Sequence, residues 1–146
     1  MNAVRANMVA YTTRILSDDE LDALSARLTE GNFQQTSMMR RLASRHGAAV
    51  DVVGVVDADD TPLAGAMLVV TPSRLGHEGS IWQGPLCDPH DRPLMAALTD
   101  AIRRRAKAHG AYSVTCWPYS SWMLPGAPSS AIRYPTIGAS VLVFSP

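Results

Sequence analysis

Several residue classes are scarce in this chain of 146 residues, and each scarcity argues against a class of protein. There are two cysteines, Cys87 and Cys116, with no Cys-x-x-Cys or Cys/His spacing, which argues against a metal site and favours reduced thiols. Lys+Arg and Asp+Glu both total 13, so the charge balance gives no support for a general polyanion-binding surface. No apolar run approaches the roughly 20 residues of a membrane-spanning helix, and no signal peptide is predicted. We therefore expect a cytoplasmic protein.

Motifs of familiar enzyme classes are also missing from the sequence. No Gly-x-Ser-x-Gly elbow, glycine-rich phosphate loop or acetyl-CoA loop occurs. Four histidines lie in different predicted elements, His46 and His109 at helix ends and His77 and His90 in loops. The sequence therefore predicts no metal and no cofactor, and it leaves the catalytic residues unassigned.

Helical periodicity is present in three segments. Ser17 and Glu20 form a capping box before leucines at helical spacing, which predicts a helix over Asp18–Glu30. Thr36 or Ser37 starts a second helix that ends near His46-Gly47. Asp91 is a plausible N-cap for a third helix, Pro93–Ala108, whose apolar stripe comprises Leu94, Ala97, Leu98, Ala101, Ile102 and Ala106.

Extended segments separate these helices. A valine-rich strand, Val50–Val56, and a second strand, Leu63–Thr71, flank an Asp-rich turn and predict an antiparallel hairpin. A polar loop is expected over Pro72–Gly79. The remaining predicted strands are Val9–Leu16, Ser80–Gln83 and Ala111–Trp117, which complete an α/β (α+β) domain with a mixed sheet flanked by helices.

The last part of the chain differs from the rest. Four prolines and no acidic residue occur between Ser120 and Pro146, and no helical period is visible there. We therefore divide the chain into a domain over residues 1–121 and a Pro/Ser-rich tail over residues 122–146. Within that tail, Ser140–Phe144 has the composition of a strand and needs a sheet partner.

Three short segments occur in the order found in the FemABX peptidoglycan aminoacyltransferases. Phe33-Gln34-Gln35-Thr36 opens a helix and resembles that family's Phe-x-Gln-Ser motif. Gln83-Gly84-Pro85 ends a strand where the family has Arg-Gly-Pro, and Trp117-Pro118-Tyr119 ends another where it has Asp-Pro-Tyr. The chain thus resembles the N-terminal half of a FemABX protein from about Val9 to Tyr119. This resemblance implies a single GNAT-like domain.

The resemblance also implies a set of substrate-binding residues. By motif position Arg41, with Arg40 second, holds the anionic precursor. Gln83 keeps hydrogen-bonding capacity but lacks the charge and the fork of the family's arginine. A glycine at position 84 permits a positive φ or a close backbone approach. The predicted substrate-binding residues are Arg40, Arg41, Gln83, Gly84, Pro85 and Tyr119.

Each of these features also has a purely structural interpretation. The Gly84-Pro85 step suits a plain strand-ending turn, and Arg40 and Arg41 suit a solvated helix face. The cations of Arg103–Lys107 either complement a helix dipole or bind an RNA backbone. Trp82 and Trp117 end neighbouring predicted strands, where they either line a groove together or simply pack.

The resemblance implies a function in building the interpeptide bridge of peptidoglycan. Its partners would be an aminoacyl-tRNA donor and a lipid-linked or UDP-linked muramyl-peptide acceptor, and both homo- and hetero-oligomers stay open. Because FemABX proteins use two GNAT-like domains, the chain is interpreted as a truncated or partial aminoacyltransferase that is inactive alone. The alternatives are a non-catalytic GNAT-like binding or assembly domain and a stand-alone acetyltransferase.

Overall fold

A computed structural model describes residues 11–117 and the short strand at residues 142–143. The described part contains three helices and six strands. In chain order they are β1 (Thr12–Ile15), α1 (Asp18–Arg27), α2 (Ser37–Arg45), β2 (Ala49–Val56), β3 (Pro62–Ser73), β4 (Gly76–Trp82), α3 (Arg92–Ala108), β5 (Ala111–Trp117) and β6 (Leu142–Val143).

All six strands belong to one sheet in the order β1-β2-β3-β4-β5-β6. Neighbouring strands are antiparallel except β4 and β5, which are parallel and are joined through α3. A parallel pair needs a crossover of this kind, because a tight turn can only reverse the chain. The predicted mixed sheet flanked by helices is confirmed, while its GNAT-like classification stays a prediction.

The ends of two helices follow from local side-chain chemistry. Glu20 N–H donates to Ser17 Oγ at 3.2 Å, and Ser17 N–H donates to Glu20 Oε2 at 2.8 Å, so the predicted capping box of α1 is formed. Asp91 Oδ1 accepts from Leu94 N–H at 3.0 Å and caps α3 as predicted. Helix α1 ends at Arg27 rather than at the predicted Glu30, because Leu28 already has an extended backbone.

The largest difference from the predicted elements lies in residues 72–79. The expected polar loop is instead a hairpin, with Ser73 paired to Gly76 and Pro72 paired to His77. His77 is therefore a strand residue. These positions are largely exposed, so the strands here extend past the core and carry polar side chains without an apolar alternation.

Helix α3 covers one face of the sheet with the larger core. Leu98 is fully buried at its centre, and the predicted stripe is confirmed. The strands contribute branched and small apolar side chains to this side, which is typical of a sheet buried by a helix. The buried residues of this cluster include Val53, Val55, Ala66, Leu68, Val70, Ile81, Leu94, Leu98, Ile102, Ala106 and Val114.

Helices α1 and α2 cover the opposite face with two smaller clusters. One joins α1 to β2 around Leu21, Leu24 and Val52, and the other joins α2 to β3 around Met39 and Met67. Between them lie the buried polar side chains of Gln35 and Ser37. Two of the segments that carry the FemABX-like motifs, those around Gln35 and Gly84, meet on this face.

Candidate functional site

The Gln83-Gly84-Pro85 segment forms a turn at the end of β4. The regular β3–β4 pairing ends at Val69 and Ser80. The next pairing between β3 and the segment after β4 is a single bridge between Gly65 and Leu86. Gln83 is exposed with φ +52°, whereas Gly84 and Pro85 are buried, and the peptide bond between them is cis. The positive φ therefore lies at Gln83 and not at the glycine.

The side chain of Gln35 fills the gap that opens between β3 and this turn. Its Oε1 accepts from Met67 N–H at 2.9 Å, and its Nε2 donates to the Trp82 carbonyl at 2.6 Å. Gln35 is completely buried. Since β3 and the end of β4 no longer pair with each other here, Met67 N–H and the Trp82 carbonyl need other partners. The carboxamide of Gln35 supplies both an acceptor and a donor, so both backbone groups stay hydrogen-bonded.

The same contact explains the glycine at position 84. A Cβ added to Gly84 would lie 3.0 Å from both Cδ and Nε2 of Gln35 and 3.1 Å from Ile81 Cγ2. The absence of a side chain at Gly84 therefore lets the carboxamide reach the backbone. The first two motifs therefore contact each other through Gln35 and Gly84. Both residues determine the shape of the turn.

Asn32 links the turn to the segment that precedes α2. Its Nδ2 donates to the Gln83 carbonyl at 2.6 Å, and its Oδ1 accepts from Gln34 N–H at 2.9 Å. The backbone N–H and C=O of Asn32 also bond Ser25 Oγ, each at 3.1 Å. Helix α1, the pre-α2 loop and the Gly-Pro turn are thereby tied together.

The N-terminus of α2 is capped by a residue from α1. The Thr36 hydroxyl donates to the Phe33 carbonyl at 2.8 Å and makes no cap hydrogen bond. Asp22 takes over, with Oδ1 accepting from Ser37 N–H and Oδ2 from Ser37 Oγ, both at 2.7 Å. A carboxylate at this end also complements the helix dipole. No sequence signal points to Asp22, because it lies 15 residues from its partner.

A surface groove of about 560 Å³ opens where these pieces meet. Its lining is chemically mixed, with one carboxylate, one guanidinium, one amide, three hydroxyls and three apolar side chains. These belong to Asp22, Arg41, Asn32, Ser25, Thr36, Ser37, Ala26, Phe33 and Met38. Because Asn32 bonds the Gln83 carbonyl, the groove adjoins the Gly-Pro turn.

The two predicted precursor-binding arginines have different surroundings. Arg40 makes a two-point ion pair with Asp18, with Nη2 at 2.9 Å from Oδ2 and Nε bonded to Oδ1. This contact lowers the pKa of Asp18 and raises that of Arg40. Arg41 lies with Nη1 3.8 Å from Asp18 Oδ2, and 59% of its side chain is exposed. Arg41 is therefore the cation that faces the groove.

The two tryptophans end neighbouring parallel strands in register. Trp82 is partly buried against the Met39 and Met67 cluster, whereas Trp117 is 52% exposed. Tyr119, the remaining predicted site residue, lies outside the described residues.

The basic end of α3 lies on the other face of the sheet and is held by internal contacts. Arg105 Nε pairs with Asp51, and His109 Nε2 lies 2.5 Å from the same carboxylate oxygen. Arg104 Nη2 donates to Thr13 Oγ1 at 3.2 Å, and Arg103 Nη1 lies 3.4 Å from Asp100 Oδ1. These contacts favour the structural interpretation of this cluster.

Neither cysteine has the surroundings of a nucleophile. Cys87 and Cys116 are free and buried, and burial raises the pKa of each thiol to about 12. Both therefore stay protonated near neutral pH. Within the described ranges there is no cluster of three or more His, Cys, Asp or Glu side chains suited to a metal ion. No described helix is long and apolar enough to cross a membrane.

Comparisons with known proteins identify a family and a similar fold. The sequence matches the model of the FemAB family over residues 16–133. A crystal structure of FemX resembles the fold with a TM-score of 0.65 at 20% sequence identity. The similarity covers 72% of this chain and 26% of FemX, so the chain spans about a quarter of the length of that protein. A search of curated proteins found no match.

Proposed function

Because the chain belongs to the FemAB family, we propose that it is a partial peptidoglycan aminoacyltransferase whose described domain binds the muramyl-peptide precursor. The observation that supports this proposal is the groove that joins Arg41 to the Gly-Pro turn through Asn32. The partners in the proposed reaction are this precursor as acceptor and an aminoacyl-tRNA as donor, and the proposed compartment is the cytoplasm.

The mixed lining of the groove suits a peptide that carries charges of both signs. Arg41 offers exposed guanidinium N–H groups to a carboxylate or phosphate, a contact stronger than a neutral hydrogen bond. Asp22 holds Ser37 through one bond to each oxygen, and a carboxylate oxygen accepts more than one bond. An ammonium group of the peptide therefore has an acceptor in the same groove.

The other predicted site residues take supporting roles in this proposal. Arg40 is engaged by Asp18, so it orders the start of α1 against α2 and leaves Arg41 for the ligand. Gly84 and Pro85 are buried and shape the turn, whereas Gln83 is exposed beside Asn32 and is the member of the turn that reaches the ligand. Tyr119 stays a predicted contact.

Aminoacyl transfer from tRNA needs orientation of a free amine against an already activated ester, together with a proton acceptor. The groove supplies orientation for one of the two substrates. Since the chain spans about a quarter of FemX, we place the donor site outside the described domain. The isolated chain is then a precursor-binding unit that does not transfer by itself. A non-catalytic binding or assembly domain would use the same groove.

Calorimetric titration with a UDP-linked muramyl pentapeptide tests the binding proposal. The expected result is saturable binding that weakens as salt is added, because an exposed charge contact is screened. Acetyl-CoA, titrated in parallel, should give no binding. Absence of precursor binding at low salt would contradict the proposal.

A transfer assay with aminoacyl-tRNA and the same precursor tests the second part. We expect no product from the isolated chain. Robust transfer by this chain alone would contradict the assignment of the donor site to another domain. Binding without transfer, even after the remaining domains of a FemX-like protein are added, would favour the non-catalytic binding domain.

A further inference from the structure

Helix α2 carries a second, outward-facing stripe that the precursor groove does not explain. Met39 and Ala43 are buried under the helix, while Met38 and Leu42 are 52% and 44% exposed on its outer side. Arg41 and Arg45 are exposed at the positions that complete the i, i+3, i+4, i+7 series with these two. We call Met38, Arg41, Leu42 and Arg45 the outer stripe.

The outer stripe is basic as well as apolar. Helix α2 contains three arginines and no acidic residue. Arg40 is neutralised by Asp18, and Arg41 lies at the edge of that carboxylate. Within residues 11–117, no carboxylate lies within ion-pair distance of Arg45. Phe33, which is 56% exposed, extends the apolar surface from the loop before the helix.

We propose that the outer stripe docks the domain on an anionic lipid bilayer. A short helix with alternating apolar and cationic side chains on its outer side suits the interface of such a membrane. The apolar groups enter the acyl boundary while the guanidinium groups meet the head groups. The arginines give the charge complementarity that selects an anionic surface. The inner side of α2 thus packs on the sheet, and its outer side contacts lipid.

This docking goes beyond precursor binding and has a consequence for it. Met38 and Arg41 line the groove as well as the stripe, whereas Leu42 and Arg45 do not line the groove. Docking through the stripe therefore holds the groove at the bilayer surface, where a membrane-attached ligand is presented. Leu42 and Arg45 separate the two functions experimentally.

Vesicle co-sedimentation with the full chain tests the proposal. The probes are vesicles of phosphatidylglycerol and phosphatidylcholine and vesicles of phosphatidylcholine alone. We expect binding to the anionic vesicles that falls with added salt. The variant Leu42→Ser/Arg45→Gln should bind about tenfold more weakly or worse, since each arginine near an anionic surface contributes about a fivefold effect and the leucine adds more.

The β3–β4 turn offers a matched control. Leu75 is 83% exposed and Arg74 beside it is also exposed, so Leu75→Ser/Arg74→Gln removes the same two residue types elsewhere on the surface. This control should keep wild-type vesicle binding, and both variants should keep the wild-type melting temperature. No vesicle binding by the wild type, or an equal loss in both variants, would overturn the proposal. So would a wild-type dimer that Leu42→Ser/Arg45→Gln dissociates, because the stripe would then be a protein interface.

Discussion

The two faces of the sheet are built on different principles. The α3 face is a continuous apolar core, with Leu98 and Ile81 fully buried at its centre. The α1/α2 face has two smaller clusters separated by polar side chains, of which Gln35 is fully buried and bonded at both ends of its amide. The α3 face stabilises the domain mainly by apolar burial, with polar contacts at the end of α3. The α1/α2 face uses specific hydrogen bonds beside the groove.

This difference places the groove, with the proposed binding residue Arg41, on the face that has the smaller apolar clusters. A dense apolar core leaves no space for a ligand, because protein interiors are packed like organic crystals. On the α1/α2 face, hydrogen bonds donated by Asn32 and Gln35 and accepted by Asp22 replace apolar contacts and fix the positions of loops. We therefore expect substitutions in the apolar core of the α3 face to lower the free energy of unfolding most. On the α1/α2 face, we expect a selective loss of stability where a substitution removes a specific hydrogen bond.

The largest expected effect is on the α3 face. Leu98→Ala should lower the free energy of unfolding by about 2–5 kcal/mol, because it leaves a cavity beneath a packed helix. The measurement is a urea melt of each variant. Leu42→Ala is the control on α2 and should cost less than about 0.5 kcal/mol, since Leu42 is exposed. Similar losses at the two leucines would remove the contrast between the faces.

The second-largest expected effect concerns the buried amide of Gln35. Gln35→Met keeps the volume of the side chain but leaves Met67 N–H and the Trp82 carbonyl without their partner. The expected cost is about 2–4 kcal/mol, from two buried polar groups left unsatisfied. Gln34→Met at the neighbouring, less buried position should cost under about 0.5 kcal/mol. A Gln35→Met variant as stable as the wild type would show that these strands do not need the bridge.

The smallest effect concerns acid stability at the edge of the α1/α2 face. Hydrogen bonds from Arg14 at 2.7 and 2.9 Å hold the pKa of Glu20 at about 2. Because the pKa is lower in the folded state, this stabilisation is present above the ordinary value of 4.5 and is lost as the pH falls through about 2.

Glu20→Gln keeps the capping box and removes the charge. We expect a loss below about 1 kcal/mol near pH 7, since the pair is partly exposed. The loss should shrink as the pH falls from about 4.5 to about 2, and urea melts across that interval measure it. Asp19→Asn, which removes an exposed charge from the same helical turn, is the matched control. A Glu20→Gln loss that is equal at every pH would contradict the ion-pair explanation.

Much of the fold could be predicted because its signals are local. The capping box at Ser17, the Asp91 cap, the valine strand and the stripe around Leu98 each depend on neighbours within one or two turns or strands. The β3–β4 hairpin was missed because its outer residues lie beyond the core and have no apolar alternation. The expected strand within residues 140–144 is present as β6, which pairs with β5.

The residues predicted for the candidate site stay predictions, and the contacts around them could not be predicted from the sequence. The motif resemblance selected Arg41 and the Gly-Pro turn, and the structure places the groove that Arg41 lines beside that turn. The roles of Gln35, Asn32 and Asp22 depend on partners 32, 51 and 15 residues away, respectively. Such contacts form only when the strands diverge and the helices pack in the folded protein. No local sequence pattern therefore predicts them.

The most direct test of the precursor groove compares two arginines one helical turn apart. Arg41 lines the groove and Arg45 does not, although both are exposed on α2. Calorimetric titration of a UDP-linked muramyl pentapeptide into Arg41→Gln should show binding weakened by about 1–3 kcal/mol, the range for a lost charge-assisted contact. Arg45→Gln should bind as the wild type does. Equal weakening by both substitutions, or unchanged binding by Arg41→Gln, would contradict the assignment of the groove as the precursor site.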